Sequence, residues 1–330
     1  MVSVLSPSKK NISLCADLIR SGKLVVFPTE TVYGLGANAF LPDSVEKIFV
    51  AKRRPKKNPT IVHVSSWKML SLVIGRSVSK KEKRFLSRFW PGPLTVLFLR
   101  SPRIPDIVTA GLPTVAVRWP SNRIARQLIS MANVPVAAPS ANPSSKPSPT
   151  LSRHVKKMKG VSAILDGGPS VFGIESTVLD LENQVVLRPG PVGISELKPW
   201  LPDVRFHASL VSDARPKKVA SPGMRYKHYS PACKITVVTG FGKKLASFFN
   251  GLPRSVPVIC SSNVAKNVSG RVVFSFSSAS DLGKRLFAFF HALDDAKIKR
   301  AVVQGVPERG IGFSVMNRLK KAASKRLTVS

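Results

Sequence analysis

The stretch FPTETVYGLGANAF, residues 27–40, decides the fold that this sequence predicts. It continues the apolar, β-branched run KLVVFPT (23–29), which is typical of a strand. Thr31 would lie just beyond the strand end, and Gly34 and Gly36 would let the backbone come close to a ligand. Ligands of open α/β sheets bind at the carboxyl ends of strands. The stretch therefore indicates an α/β domain with a binding site here, although such turns are as often only structural.

Short apolar runs alternate with helical patterns through the first two hundred residues. The sequence predicts strands at residues 23–29, 60–64, 94–100, 114–120, 163–168, 176–181 and 184–189. It predicts helices at residues 43–53, 80–90, 121–132 and 152–160. This alternation favours an α/β domain with a twisted open sheet and covering helices, over residues 8–201.

The alternation of strand-like and helix-like patterns stops after residue 201. Residues 202–232 show little periodicity and predict a linker or lid, since loops of that length are usually functional or disordered. Beyond them, residues 233–330 predict a smaller Rossmann-like α/β domain. Its expected strands are 234–240, 256–262 and 300–307, and its expected helices are 243–252, 280–297 and 312–325.

The charge of the chain is strongly unbalanced. Among 330 residues, 52 are Lys or Arg and 17 are Asp or Glu, which gives a net charge of +35. Such a surface attracts polyanions, nucleic acid first and an anionic membrane second, although a generally basic proteome would give the same balance. The hydrophobic content of 43% excludes global disorder.

Cysteine usage and hydropathy exclude several classes of protein. Cys15, Cys233 and Cys260 are far apart and form no C-x-x-C, so the sequence predicts neither a zinc site nor a disulfide framework. The first residues lack the apolar core of a signal peptide, and no apolar run reaches the roughly 18 residues of a membrane span. We expect a cytoplasmic protein without membrane contact.

Four cations stand at the ends of predicted elements. Lys52 and Arg54 can converge on one ligand if the helix ends between them, and Pro55 favours that ending. A triphosphate suits such a pair, with Lys as a point charge and Arg as a fork, but a solvated basic run is an equally good interpretation. Arg118 ends a strand, where it suits a carboxylate, and Arg188 ends another.

Hydroxyl and amide groups accompany these cations. Ser140 and Asn142 lie on a Pro-bounded turn, Ser148 follows in a Ser/Pro-rich loop, and Ser176 begins a strand. A lone histidine such as His63 is more often a half-buried polar residue than a ligand. The P-loop, the zinc-protease motif, the nucleophile elbow and the dinucleotide fingerprint are all missing. Chemistry by positioning and charge neutralisation would need none of them.

Taken together, these segments resemble the YrdC-type threonylcarbamoyl-AMP synthase family. The motifs that carry the resemblance are PTETVYGLG, K-x-R with Asn58-Pro59 and His63, FWPGPLT, VRWP, PSAN, ESTV and LRPG, within residues 20–190. SPGMRYKHYSP (221–231) and GIGFSVMNRLKKAAS (310–324) resemble the linker and the last helix of the two-domain form. Each motif is short, but seven in register are specific, and the resemblance covers nearly the whole chain.

The resemblance implies an activity. Members of the family convert L-threonine, bicarbonate and ATP to L-threonylcarbamoyl-adenylate and pyrophosphate, for modification of the tRNA adenosine beside the anticodon. The implied partners are these substrates, tRNA and the machinery that transfers the threonylcarbamoyl group. Mg²⁺ would be bound mainly through phosphates, without a metal site made by the protein.

The resemblance also implies a set of site residues. Lys52 and Arg54 would be catalytic, and the threonine site maps to Thr31, His63, Arg118 and Ser176. The nucleotide site maps to Lys52, Arg54, Asn58, Thr114, Ser140, Asn142, Ser148, Arg188, His228 and Tyr229, the last two from the linker.

Two positions depart from the family pattern, and two other functions compete. Arg53 stands where the family usually has Gly, and Ala138 stands where Thr is common. A non-catalytic module that binds double-stranded RNA or tRNA would also explain the charge. A carbamoyl-transfer domain of the hydrogenase-maturation type would require an acylphosphatase-like region and Cys-rich zinc fingers, which three scattered cysteines do not supply.

Overall fold

The fold is described from a computed structural model, which covers residues 2–155, 158–211 and 229–329. Most of the predicted linker, residues 212–228 with His228, lies outside these described residues. The chain divides into two compact units. Unit 1 is Met1–Ser144 with Ser148–Tyr226, and unit 2 is Ser145–Pro147 with Lys227–Ser330.

The first unit is built on one mixed sheet. Its strands are β1 (Ser3–Leu5), β2 (Leu24–Phe27), β3 (Gly34–Asn38), β4 (Ile61–His63), β5 (Leu94–Leu99), β6 (Thr114–Arg118), β7 (Val136–Ala137), β8 (Val161–Leu165), β9 (Thr177–Asp180), β10 (Val185–Arg188) and β11 (Arg205–Phe206). They are ordered β1-β8-β2-β3-β7-β4-β6-β5-β9-β10-β11. This mixed α/β architecture confirms the predicted fold class.

Helices cover this sheet. They are α1 (Lys9–Arg20), α2 (Pro42–Lys52), α3 (Trp67–Val73), α4 (Lys80–Phe89), α5 (Asp106–Thr109), α6 (Arg123–Ala132) and α7 (Ile194–Leu197). Helix α1 shows why they pack, because its buried residues follow the spacing of one helical face: Ile12, Cys15, Ala16 and Ile19. The Ser8 side chain accepts a hydrogen bond from the Asn11 N–H and fixes the start of α1.

The register of four neighbouring strands brings several polar residues side by side in the sheet. Strand β4 runs parallel to β6 and places His63 opposite Arg118. Strand β5 runs antiparallel to β6 and places Thr95 opposite the same arginine. Strand β9 runs parallel to β5, with Thr177 opposite Leu94. Residues that are far apart in sequence therefore meet at one edge.

The second unit carries a parallel sheet. Its elements are β12 (Lys234–Thr239), α8 (Gly242–Asn250), β13 (Val258–Ser261), α9 (Ser262–Ala265), β14 (Val273–Phe276), α10 (Ala279–Asp295), β15 (Arg300–Gln304), α11 (Ile311–Ala322) and β16 (Ala323–Thr328). The strand order is β14-β13-β15-β12-β16, and every pairing is parallel. The predicted boundaries at residues 201 and 233 stay a prediction.

Several sequence-based expectations are wrong in detail. The predicted helix 152–160 is a 3-10 turn at Ser152–Val155, and residues 156–157 lie outside the described part of the chain. The predicted strand 163–168 is β8, two residues earlier, because the chain turns at residues 166–168. The predicted helix 312–325 ends at Ala322, where β16 begins. Within the described ranges, no helix is both long enough and apolar enough to cross a membrane.

Helix α2 ends in a backbone conformation that its sequence does not favour. Arg53 follows its last residue with φ +50° and ψ +49°, in the left-handed region. Its N–H bonds to the Phe49 and Val50 carbonyls and closes the helix. A side chain costs about 1–2 kcal/mol in this region, which Gly occupies freely. Arg53 at this position therefore has a local energetic cost.

Replacing Arg53 by Gly should therefore stabilise unit 1. We expect Arg53→Gly to raise the free energy of unfolding by about 0.5–1 kcal/mol, because relief of the strain exceeds the added freedom of the unfolded chain. Urea unfolding measures it. Arg53→Ala is the matched control, since it removes the same charge but keeps Cβ. Equal stabilisation by both variants would show that the charge, and not the backbone, is responsible.

Candidate active site

The candidate site is built around the guanidinium of Arg118, the last residue of β6. Its Nη2 lies 2.7 Å from Glu30 Oε1, and both side chains are only 4% exposed. Its Nη1 donates a hydrogen bond to Thr31 Oγ1 at 2.8 Å. Its Nε donates to the Gly92 carbonyl at 3.3 Å. These contacts from two segments, the turn with Glu30 and Thr31 and the loop with Gly92, hold the plane of the guanidinium in one orientation.

Glu30 is the charged partner that the sequence analysis missed. Burial alone would raise the pKa of this carboxyl, but the charge and hydrogen bond of Arg118 outweigh it, so the net pKa lies below its usual value. The Phe172 N–H donates to the Glu30 carbonyl at 2.8 Å and anchors this part of the turn. A carboxylate between two threonines in a loop gives no sequence signal that distinguishes it from a solvated charge.

His63 lies beside this ion pair at the end of β4. Its ring is buried and meets Phe27 edge-on, with 6.0 Å between centroids. Burial first, and then the positive charge of Arg118, lower the pKa of His63 to about 3. The imidazole is therefore neutral near pH 7. Among the described residues its buried Nδ1 has no hydrogen-bond partner.

Ser176 connects the predicted threonine site to the predicted nucleotide site. Its hydroxyl lies 2.7 Å from Thr95 Oγ1 and accepts a hydrogen bond from Arg188 Nη2 at 3.0 Å. Arg188 Nε also donates to the Ser176 carbonyl at 3.0 Å. Thr95 was missed, because a threonine within an apolar strand has no signal of its own. The structure thus brings Ser176 and Arg188 together.

Lys52 is buried, not exposed on a basic run. It is 1% exposed, and its Nζ donates to the carbonyls of Ser140 and Asn142. Burial, then the charge of Arg54, lower the pKa of Lys52 well below its usual value, against the opposite effect of Glu175. Lys52 therefore fixes the turn that carries the predicted nucleotide-binding groups.

Arg54 and Asn58 form the neighbouring part of the site. Arg54 is half-buried and donates from Nη2 to the Pro59 carbonyl at 2.9 Å and from Nε to the Asn58 carbonyl at 3.3 Å. The side chain of Asn58 is buried, and its Oδ1 has no partner among the described residues. Lys52 and Arg54, on either side of the left-handed Arg53, bond to different segments of the chain, residues 140–142 and 58–59.

The remaining predicted residues lie in different places. Ser148 is buried and donates to Glu175 Oε1 at 2.5 Å, a second carboxylate that the sequence analysis missed. Thr114 begins β6, four residues from Arg118, and pairs with Leu99, so it is not part of the Arg118 group.

The two linker residues are not described with this group. Tyr229 belongs to unit 2, where its buried ring packs 5.6 Å from Phe287 and beneath the Arg318 guanidinium. His228 lies outside the described residues.

Comparison with known proteins identifies the family of this chain. Residues 17–190 match the Sua5/YciO/YrdC family model, described as "telomere recombination". Residues 192–324 match the model "Threonylcarbamoyl-AMP synthase, C-terminal domain". The chain belongs to the threonylcarbamoyl-AMP synthase family. This confirms the resemblance drawn from the sequence motifs.

Curated members of the threonylcarbamoyl-AMP synthase family match over nearly the full length. The enzyme of Pyrococcus abyssi is 39% identical over 96% of this chain and 95% of its own. The enzyme of Bacillus subtilis is 38% identical over 98% of this chain and 96% of its own. The crystal structure of P. abyssi Sua5 complexed with L-threonine has a TM-score of 0.91 and 36% identity, and each chain is covered completely.

Removing the charge of Glu30 should destabilise the protein. In Glu30→Gln, the buried Arg118 guanidinium loses its counter-charge, so we expect the free energy of unfolding at pH 7 to fall on the order of 3 kcal/mol. Urea unfolding measures the loss. The control is Glu46→Gln, which breaks an exposed pair with Lys56 and should cost less than about 1 kcal/mol. Equal losses would mean that the buried pair has no special role.

The neutral His63 should make stability depend on pH. An unfolded histidine titrates near pH 6.5, whereas the pKa of His63 in the folded chain is about 3. Between these values the unfolded chain binds the extra proton, so stability falls as the pH is lowered. Between about pH 4 and 6, we expect His63→Gln to make the free energy of unfolding less dependent on pH, by up to about 1.4 kcal/mol per pH unit. Urea unfolding at several pH values measures this slope. Equal slopes for the variant and the unchanged protein would contradict the prediction.

Proposed function

We propose that this chain condenses L-threonine, bicarbonate and ATP into L-threonylcarbamoyl-adenylate and pyrophosphate. The chain is an enzyme of a family whose curated members, from archaea, bacteria and yeast, are named threonylcarbamoyl-AMP synthases. The observation that carries the proposal is the buried guanidinium of Arg118, oriented by Glu30 and Thr31 beside the neutral His63. A non-catalytic RNA-binding role is not favoured by these names.

The reaction suits a site that works by positioning. The threonine amine attacks the carbon of bicarbonate and water leaves, which gives a carbamate. A carbamate oxygen then attacks the α-phosphorus of ATP, and pyrophosphate leaves with the electrons of the broken P–O bond. Both reactants are anionic and repel each other. Buried or half-buried cations offset this repulsion without a protein nucleophile, and here they are Lys52, Arg54 and Arg188.

Arg118 has donors left for the threonine carboxylate. A guanidinium carries five N–H groups. Among the described residues, hydrogen bonds use one N–H each on Nε and Nη1, whereas Nη2 lies 2.7 Å from Glu30 Oε1 as an ion pair, so N–H groups remain for a ligand. Their fork geometry matches a carboxylate. Because Glu30 already neutralises the guanidinium, binding depends on hydrogen-bond geometry more than on net charge.

His63 is the proposed partner of the threonine hydroxyl. Its ring is buried and neutral, and Nδ1 has no partner among the described residues. A site built to hydrogen-bond a hydroxyl rejects an analogue that lacks it, because the site's polar atom is then left buried and unpaired. Ser176, held between Thr95 and Arg188, would border the same ligand.

The nucleotide site would lie next to the turn that Lys52 fixes. Lys52 would orient the backbone of Ser140 and Asn142, while Arg54 and Arg188 supply charge to the phosphates. The roles of the other predicted residues stay proposals: Asn58, Thr114, Ser148, His228 and Tyr229. Mg²⁺ would be held mainly through the phosphates of ATP, because this ion keeps most of its water ligands and is commonly bound through substrate phosphates.

The product would be used in tRNA modification. A mixed carbamic–phosphoric anhydride is a reactive acyl donor, so a transferring machinery must take it up before water does. We propose tRNA, modified at the adenosine beside the anticodon, as the destination of the acyl group. The cytoplasmic location stays a prediction from the sequence.

The purified chain should release pyrophosphate only with the complete set of substrates. We expect release with L-threonine, bicarbonate and Mg-ATP, measured by a coupled phosphate assay. Valine, which has the shape of threonine without the hydroxyl, should be used at least about 10⁴-fold less efficiently, because it leaves the polar site unpaired.

Matched variants test the role of the cations in this assay. Arg54→Ala should abolish turnover, whereas Lys57→Ala, at a nearby exposed cation, should retain it. Threonine-independent release, or equal use of valine, would overturn the proposed reaction. Full activity of Arg54→Ala would overturn only the charge role of that residue.

A further inference from the structure

Thr95 is a buried polar residue beside the proposed threonine site. It belongs to β5, and its side chain is fully buried. In the sheet it stands opposite Arg118 of β6, whose guanidinium is the proposed partner of the threonine carboxylate. Its Oγ1 also lies 2.7 Å from Ser176 Oγ. Thr95 therefore connects two of the residues that are proposed to meet threonine.

The hydrogen bonds of the Ser176 hydroxyl limit what else it can do. A hydroxyl has one proton to donate and two lone pairs that accept. Arg188 Nη2 donates to Ser176 Oγ at 3.0 Å, and this bond uses one lone pair, because a guanidinium cannot accept. Only one proton can lie between Thr95 Oγ1 and Ser176 Oγ, so one of these two hydroxyls must donate elsewhere.

The surroundings of Thr95 indicate which hydroxyl donates to the other. Among the described residues, Ser176 is the only hydrogen-bond partner of the Thr95 hydroxyl. If Ser176 donated to Thr95, the proton of Thr95 would be left buried without an acceptor, which is unfavourable. If Thr95 donates, Ser176 Oγ accepts from both Thr95 and Arg188, and its own proton is left for a third partner.

We propose that Thr95 is a positioning residue that makes Ser176 a hydrogen-bond donor to the carboxylate of bound threonine. The inference rests on the proposed function, which makes threonine the ligand at this place. Two donors to one hydroxyl oxygen polarise its O–H bond and strengthen the hydrogen bond that it donates. A carboxylate oxygen gains most from such a donor, because hydrogen bonds to charged acceptors are the stronger ones. Arg118 and Ser176 then share one carboxylate.

Two substitutions separate the hydroxyl of Thr95 from its shape. Thr95→Val keeps the branched side chain and removes the hydroxyl, whereas Thr95→Ser keeps the hydroxyl and removes a methyl group. The matched control is Thr60→Val, at a similarly buried threonine whose hydroxyl donates to the Val108 carbonyl at 3.2 Å. Isothermal titration calorimetry measures binding of L-threonine to the full chain, and urea unfolding measures the stability of each variant.

The expected results place affinity and stability in opposite orders. Thr95→Val should raise the Kd for L-threonine about tenfold, because Ser176 loses the hydrogen bond that orients its proton. Thr95→Ser and Thr60→Val should change this Kd less than threefold. Thr95→Ser should nevertheless be less stable than Thr95→Val, because the lost methyl group leaves a gap in the core. Unchanged binding by Thr95→Val, or an equal loss in Thr95→Ser, would overturn the proposal.

A second comparison tests whether Thr95 acts through Ser176. In a Ser176→Ala background, Thr95→Val should have no further effect on threonine affinity, because the donor that Thr95 positions is already gone. A further tenfold loss in that background would show that Thr95 acts independently, against the proposal. Threonine binding is measured here without turnover. An unchanged chain that binds threonine but releases no pyrophosphate would therefore contradict the proposed reaction and not the role of Thr95.

Discussion

The arrangement of this site depends on keeping positive charge inside a protein. A buried cation is costly unless the fold supplies partners for it. Arg118 has a carboxylate, a hydroxyl and a carbonyl, Lys52 has two carbonyls, and Arg188 has the hydroxyl and carbonyl of Ser176. These partners lie in loops that are distant in sequence from the cations, so the cations also help to determine where those loops lie.

Arg118 and Lys52 differ in the partners that stabilise them: a carboxylate for Arg118 and backbone carbonyls for Lys52. The ion pair of Arg118 with Glu30 is nearly neutral as a unit, which suits recognition of a carboxylate by geometry. Among the described residues, Lys52 has carbonyl dipoles as its direct partners, and burial first, then Arg54, lower its pKa. The site therefore combines an ion-paired guanidinium with an amine held by backbone dipoles.

The sequence identified residues at the ends of regular elements well. Arg118 and Arg188 do end β6 and β10, and Lys52 does end α2, because strand and helix ends follow from periodicity and breakers. Glu30 and Thr95 were not identified, since their roles come from partners that are distant in sequence. No local pattern encodes such pairings.

Errors in the elements have equally physical causes. Helix α1 was missed although its apolar spacing was present, so that signal could have been used. The helix expected at 152–160 rested on a short basic pattern with few apolar residues to bury. The structure has a 3-10 turn there, and the chain then continues into β8, which pairs with β1 and β2 on either side. Tertiary pairing overrides weak local preference in such segments.

The pairing of β4, β5 and β6 has a consequence for how the site can change. Side chains alternate between the two faces of a sheet, so His63, Thr95 and Arg118, which are directly paired, share one face. A shift of β6 by a single residue would exchange Arg118 for Val117 and turn the guanidinium to the opposite face. The alternation of apolar residues that packs β6 against the core thus also keeps the polar residues on the same face of the sheet. Substitutions deep in the core can abolish ligand recognition without touching any residue that meets the ligand.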